Sequence, residues 1–197
     1  AVAEGDSILS PLGTRVDPEG LGWRLPADPG MRPVVYSKDG TLLVAYYGEQ
    51  GIRLVRSRDQ GLSFGPEIVV SGAQRAPTLA VGDSGQVVVA WVDARGQMWV
   101  TRSFDDGWSF GPARSVNSEP VLGGGVRVLI VRGRVLVMPS EGARVWSQAL
   151  DAPLDGTWQV AAVDVDATSS VLFAARGRVW VGTTDPGFLL FYILFPW

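Results

Sequence analysis

The chain contains no cysteine and no histidine among its 197 residues. Without cysteine there is no disulfide framework, no zinc-thiolate site and no thiol nucleophile. Without histidine the commonest general base, the commonest metal ligand and the side chain that titrates near neutral pH are all missing. Lysine is nearly absent as well: Lys38 stands alone, the other basic residues being arginine, and Asn117 is the single asparagine. A basic excess is also missing. The net charge is −3, which does not suit a nucleic-acid surface. No apolar run reaches the length of a membrane-crossing helix, since the longest, Phe188 to Trp197, has ten residues. The sequence opens on Ala1 without an apolar leader-like stretch, which leaves a removed leader and a trimmed initiator methionine both open. A 3.6-residue periodicity never persists, because Gly or Pro interrupts every few residues. No helix is expected.

What is present is glycine, aliphatic β-formers and a repeat. Residues 1–19 show no periodicity and read as an N-terminal arm, with a short contact expected around Ile8-Leu9. Residues 20–197 read as one domain built of repeats. Hairpin turns at Asp39-Gly40, Ser84-Gly85, Arg132-Gly133 and Arg176-Gly177 are each flanked by apolar β-rich runs. A second series of turn glycines follows at Gly51, Gly96, Gly142 and Gly187. The third marker is the most specific. Ser57-Arg58-Asp59-Gln60-Gly61-Leu62-Ser63-Phe64 and Ser103-Phe104-Asp105-Asp106-Gly107-Trp108-Ser109-Phe110 both read S-x-D-x-G-x-S-F, 46 residues apart, and both continue Gly-Pro. A shortened third copy is Asp155-Gly156-Thr157-Trp158. The chemistry is that of a strand-to-strand turn. The Asp carboxylate accepts backbone N–H bonds, Gly supplies the positive φ, and the aromatic tucks beneath to anchor the next strand.

This pattern resembles the Asp-box, or BNR repeat, of sialidase-type β-propellers. The residues that carry it are Ser57, Asp59, Gly61 and Phe64 in one copy and Ser103, Asp105, Gly107 and Phe110 in the other. The resemblance implies an all-β chain, a propeller with the boxes at structural corners. The repeat count gives four blades of four antiparallel strands. Trp23, Phe64, Phe110 and Trp158 then hold one repeat position. The strand around Trp23 is expected to complete the last blade beside Phe188–Trp197, closing the ring and hiding both sheet edges.

The sialidase likeness also suggests carboxylate-gripping arginines, and Arg32-Pro33 and Arg75-Ala76-Pro77 resemble the motif that opens the family's first blade. Bracing of the strand-4-to-strand-1 loops is the preferred reading for both. No third arginine and no Tyr–Glu nucleophile pair can be assigned, and the family's catalytic propeller has six blades, so a non-catalytic member is expected. Glu49, Asp93, Glu141 and Asp185 precede the second-series glycines and would ring one face. Such oxygen-rich sites suit Ca²⁺, although turn carboxylates that stay solvated are the preferred reading, since their offsets from the glycines vary. Otherwise no cofactor is expected. Among the aromatics, Trp91, Trp99 and Trp146 fall on core positions, whereas Tyr46, Tyr47 and Trp108 are expected at the surface, where they would stack on a sugar or anchor a protein. Phe188, Leu190, Phe191, Tyr192, Phe195 and Trp197 form a run apolar on both faces, either buried within the chain or covered by a partner subunit. These readings converge on a structural or recognition subunit of an extracellular, cell-surface or virion assembly. Protein partners come first, a glycan-binding module and a divergent sialidase-like glycosidase second.

Overall fold

The computed structural model describes residues 2–4, 7–9, 24, 31–141, 144–162, 170–175, 178–185 and 188–193. All regular structure among them is β, and no helix there is long and apolar enough to cross a membrane. In the arm, β1 (Val2–Glu4) and β2 (Ser7–Leu9) form an antiparallel pair in which Ile8 faces Ala3 and Leu9 faces Val2.

Among the described residues, four antiparallel meanders follow. The first sheet holds β3 (Val34–Tyr36), β4 (Leu42–Gly48), β5 (Gly51–Ser57) and β6 (Ile68–Ser71) in that order. The second holds β7 (Thr78–Val81), β8 (Val87–Val92), β9 (Met98–Ser103) and β10 (Arg114–Ser115). The third holds β11 (Val126–Val131), β12 (Arg134–Pro139), β13 (Arg144–Ala149) and β14 (Gln159–Ala162). The last has three strands among the described residues: β15 (Ser170–Ala175), β16 (Arg178–Asp185) and β17 (Phe188–Ile193). The first strand of each sheet packs beside the first strand of the next, β3 by β7, β7 by β11 and β11 by β15. The sheets therefore radiate from a common inner edge.

Side chains alternate across a strand, so a sheet covered on both sides needs apolar residues on consecutive positions. The strands β4, β8 and β12 supply them. Leu43, Ala45, Ile52 and Leu54 of the first sheet meet Leu79, Val87, Val89 and Trp91 of the second. The alternate residues Val88, Ala90, Val92, Met98 and Val100 pack against Val126, Val128, Val135, Val137 and Trp146 of the third. Leu129, Leu136, Met138 and Val145 then meet Val179 of the last sheet. Each such fully buried aliphatic contributes about 1.5–3 kcal/mol relative to exposure. The aromatic that ends each S-x-D-type turn packs toward the preceding interface. Phe110 lies on the first–second core, Trp158 on the second–third, and Phe64 on the outer face of the first sheet.

The segment around Trp23 pairs differently from the expectation. Its described residue, Arg24, exchanges two backbone hydrogen bonds with Tyr47, 2.7 and 3.0 Å, and so belongs to the first sheet. Those bonds continue the line of β3 along β4, beyond the Ala45 N–H that donates to the Pro33 carbonyl. Trp23 itself and Phe195 and Trp197 lie outside the described residues.

Candidate functional site

The two ends of the sheets present different chemistry. One end carries the β4–β5 and β8–β9 turns and the segments that enter β3 and β7. Gly51 closes the first of these turns at φ +96°, and a Cβ there would sit 2.2 Å from the Ser71 carbonyl oxygen, so only glycine fits. The Gln74 amide donates to the Glu49 carbonyl at 2.7 Å and ties the next loop to the same turn. Asn117 is buried and fully used. Its Oδ1 accepts from Met98 N–H at 2.7 Å, and its Nδ2 donates to the carbonyls of Gly96 and Glu119.

These ties leave a cleft of about 550 Å³ whose wall includes Tyr47, Gln74, Arg75, Asp93, Arg95 and Leu122. Tyr47 is half-buried, Arg75 and Arg95 are exposed, and Leu122 is 78% exposed. The Asp93 carboxylate accepts from the N–H groups of Arg95 (2.8 Å) and Gln97 (3.0 Å) and from the Trp99 indole (3.1 Å). Partial burial opposes its ionisation, but these donors outweigh it and hold the group below its ordinary range. Asp93 is thus a turn brace. Glu49 and Glu141 are exposed on neighbouring turns, and Asp185 ends β16 with its side chain outside the described residues. Among the described residues no three acidic side chains come together in a group able to hold a metal ion.

Of the two expected arginines, Arg75 lines the cleft and Arg32 is not among its lining residues. Arg32 is exposed, and its backbone bonds Thr78 Oγ1 and the Leu79 N–H, stitching β3's entry to β7. Tyr46, expected at the surface, is fully buried. It alternates with Tyr47, and a radial sheet covers both faces. Its hydroxyl donates to Glu67 Oε1 at 2.5 Å, and Arg53 Nε lies 3.7 Å from Glu67 Oε2. This Tyr–Glu–Arg cluster was invisible to local patterning, because Glu67 stands 21 residues from Tyr46 on the other side of two turns. The side chains of Phe188, Leu190, Phe191 and Tyr192, on β17, lie outside the described residues.

The opposite end carries the two S-x-D-x-G-x-S-F turns, which are near duplicates. Ser57 Oγ accepts from Gly61 N–H (2.7 Å), and Asp59 accepts from the Ser63 N–H (2.9 Å) and hydroxyl (2.5 Å). Ser103 and Asp105 repeat each bond toward Gly107 and Ser109, at 2.8, 2.9 and 2.6 Å. Gln60 and Gly61, like Asp106 and Gly107, take the left-handed conformation. The Ser63 hydroxyl and N–H and the Ser57 hydroxyl pull the Asp59 pKa down to about 2. Burial works against ionisation of Asp105, but Ser103 and Ser109 still bring it to about 2. Trp108 is 49% exposed, as the sequence suggested.

No protein-family model matches the chain, and no curated protein matches it in sequence. Solved structures do resemble it. The NanB sialidase from Streptococcus pneumoniae aligns over 76% of this chain and 26% of that one, at 14% identity and a TM-score of 0.59. A protein of unknown function from Dyadobacter fermentans aligns over 91% of this chain and 59% of its own, at 16% identity and a TM-score of 0.56. The intramolecular trans-sialidase from Ruminococcus gnavus aligns over 77% and 38%, at 13% identity and a TM-score of 0.51. The chain thus spans about a quarter of the NanB sialidase's length. The shared feature is a sialidase-like β-propeller fold.

Proposed function

We propose that the chain is a non-catalytic, four-bladed propeller that recognises a protein partner through the end bearing the Tyr47–Arg75–Arg95 cleft. The observation that carries this reading is the composition of that cleft. Tyrosine and arginine are the residue types that dominate protein-binding hot spots, and the highly exposed Leu122 adds an apolar contact beside them. The carboxylate in its wall, Asp93, already serves three donors of its own turn and is poorly placed for acid–base work. The Tyr46–Glu67 contact resembles a nucleophile pair only in composition, since Tyr46 is fully buried. The four-fold repeat in the sequence supports the blade count, and an extracellular, cell-surface or virion assembly is the proposed setting.

Chemical cross-linking of the native material, compared with an Arg75→Glu, Arg95→Glu variant, tests the reading. The wild type is expected to capture a defined partner and the variant to lose at least about tenfold in affinity. A wild-type chain that purifies alone and cross-links to nothing would remove it. The same cleft favours glycan binding as the second reading, because Tyr47 offers a ring face beside two guanidinium groups. Saturable binding on a glycan array that Tyr47→Ala abolishes would select it. Turnover of a fluorogenic sialoside would overturn the non-catalytic assignment.

A further inference from the structure

The end that carries the duplicate turns holds a second kind of site. Arg56 on β5 and Arg102 on β9 are 46 residues apart, and each lines the cleft between its own sheet and the next. The two clefts have equivalent walls: Arg56, Arg58, Ser63, Gly65 and Pro66 in one, Arg102, Phe104, Ser109, Gly111 and Pro112 in the other. Their arginines are held differently. Arg102 donates from its two terminal nitrogens to the carbonyls of Leu150 and Ala152. Arg56 is only 6% exposed, and its Nε and Nη1 have no hydrogen-bond partner. Its guanidinium lies 4.0 Å beneath the Trp108 ring centroid instead.

A buried cation with unused donors, a second cation beside it and a half-exposed aromatic cover make a site for an anion. Acidic residues do approach Arg56: Asp106, Asp39 and Asp105 favour its charge while burial and Arg58 oppose it. Two of those carboxylates are already committed. Asp39 accepts from Ser37 and Thr41, and Asp105 accepts from Ser103 and Ser109. We propose that the cleft of about 220 Å³ between the first and second sheets binds an oxyanion group, with Arg56 and Arg58 as its cations and Trp108 as a movable cover. The cleft admits a sulfate, phosphate or carboxylate head, and an apolar body attached to that head would pack on Trp108 and Pro66.

The test titrates the intact chain separately with sulfate, phosphate and acetate against chloride at constant ionic strength. It reads Trp fluorescence, with Trp108→Phe identifying the responding ring, and the Arg56 Nε–Hε NMR signal. Saturation in the millimolar range is expected for at least one anion, and which one tells a tetrahedral head from a planar carboxylate. Arg56→Lys is expected to weaken binding about tenfold and Arg58→Gln about threefold. Should Arg56→Lys fail to fold, the exposed Arg58 carries the test. No saturation with any of the three anions, or saturation unaffected by Arg58→Gln and by displacing Trp108, would overturn the proposal.

Discussion

The clefts beside Arg56 and Arg102 share backbone, spacing and wall, and they differ in what the next sheet offers the arginine. The second turn, Ser103 to Phe110, is closed on itself. Ser103 and Asp105 consume its inward N–H groups, and it lends Arg56 only the face of Trp108. The third turn is one residue short and loses that closure. Its loop is pinned by Ala152 N–H to the Ala149 carbonyl and by Gly156 N–H to the Pro153 carbonyl, and it turns the carbonyls of Leu150 and Ala152 toward Arg102. In the third sheet the equivalent position is Gln148, whose amide bonds the Pro153 carbonyl at 2.9 Å. One column of the repeat therefore holds a stacked cation, a hydrogen-bonded cation and a neutral amide. A well-formed turn offers its neighbour's arginine only a ring face, whereas a degraded one takes hydrogen bonds from both terminal nitrogens.

Removing each arginine should separate the two cases most strongly. Arg102→Met is expected to cost about 2–3 kcal/mol, because it strands two carbonyls that a charged donor served. Arg56→Met should fall within about 1 kcal/mol of zero and can be stabilising, since it removes a desolvated cation with unused donors. Urea midpoints of the two variants measure this, and equal losses would erase the distinction.

Opening the closed turn comes next. Gly107→Ala meets no atom nearer than Val87 Cγ2 at 3.6 Å, so its cost is the left-handed φ of +78° alone, about 1–2 kcal/mol. A smaller change makes the first cleft look like the second. Trp108→Leu places there the residue type found at Leu154 and should lose about 0.5–1 kcal/mol with the cation–π contact. Thermal unfolding resolves both.

Acid should scarcely distinguish the turns. Asp59 and Asp105 are both lowered from 3.8 to about 2 by their serines. A carboxylate whose folded pKa is depressed stabilises the fold above its unfolded pKa and loses that contribution as pH falls through the folded value. Stability is thus expected to be flat near neutrality and to decline between pH 3.8 and about 2, with Asp59→Asn and Asp105→Asn each removing a similar share of the decline.

Much of this organisation was legible because it is written locally and then repeated. The S-x-D-x-G-x-S-F copies announce turns whose carboxylate accepts backbone N–H bonds, and the apolar runs of β4, β8 and β12 announce sheets covered on both sides. The Arg56–Arg102–Gln148 column was also there to be read at the same 46-residue period, but charge on a strand invites a solvated reading. Tyr46 misled for a related reason. Two adjacent tyrosines read as one exposed patch, although alternation sends them to opposite faces and Glu67 waits for the buried one. Where Arg24 attaches depended on a pairing far from its own sequence neighbourhood, which no turn chemistry encodes.

The inner-edge packing places each sheet against the one that follows it in the chain. Hydrophobic surface is consequently sealed in the order of synthesis, and about 46 newly translated residues suffice to close one more seam. A lesion at one seam would be felt chiefly by the two sheets it joins, so local opening near Leu136 should leave amide protection around Leu54 largely intact.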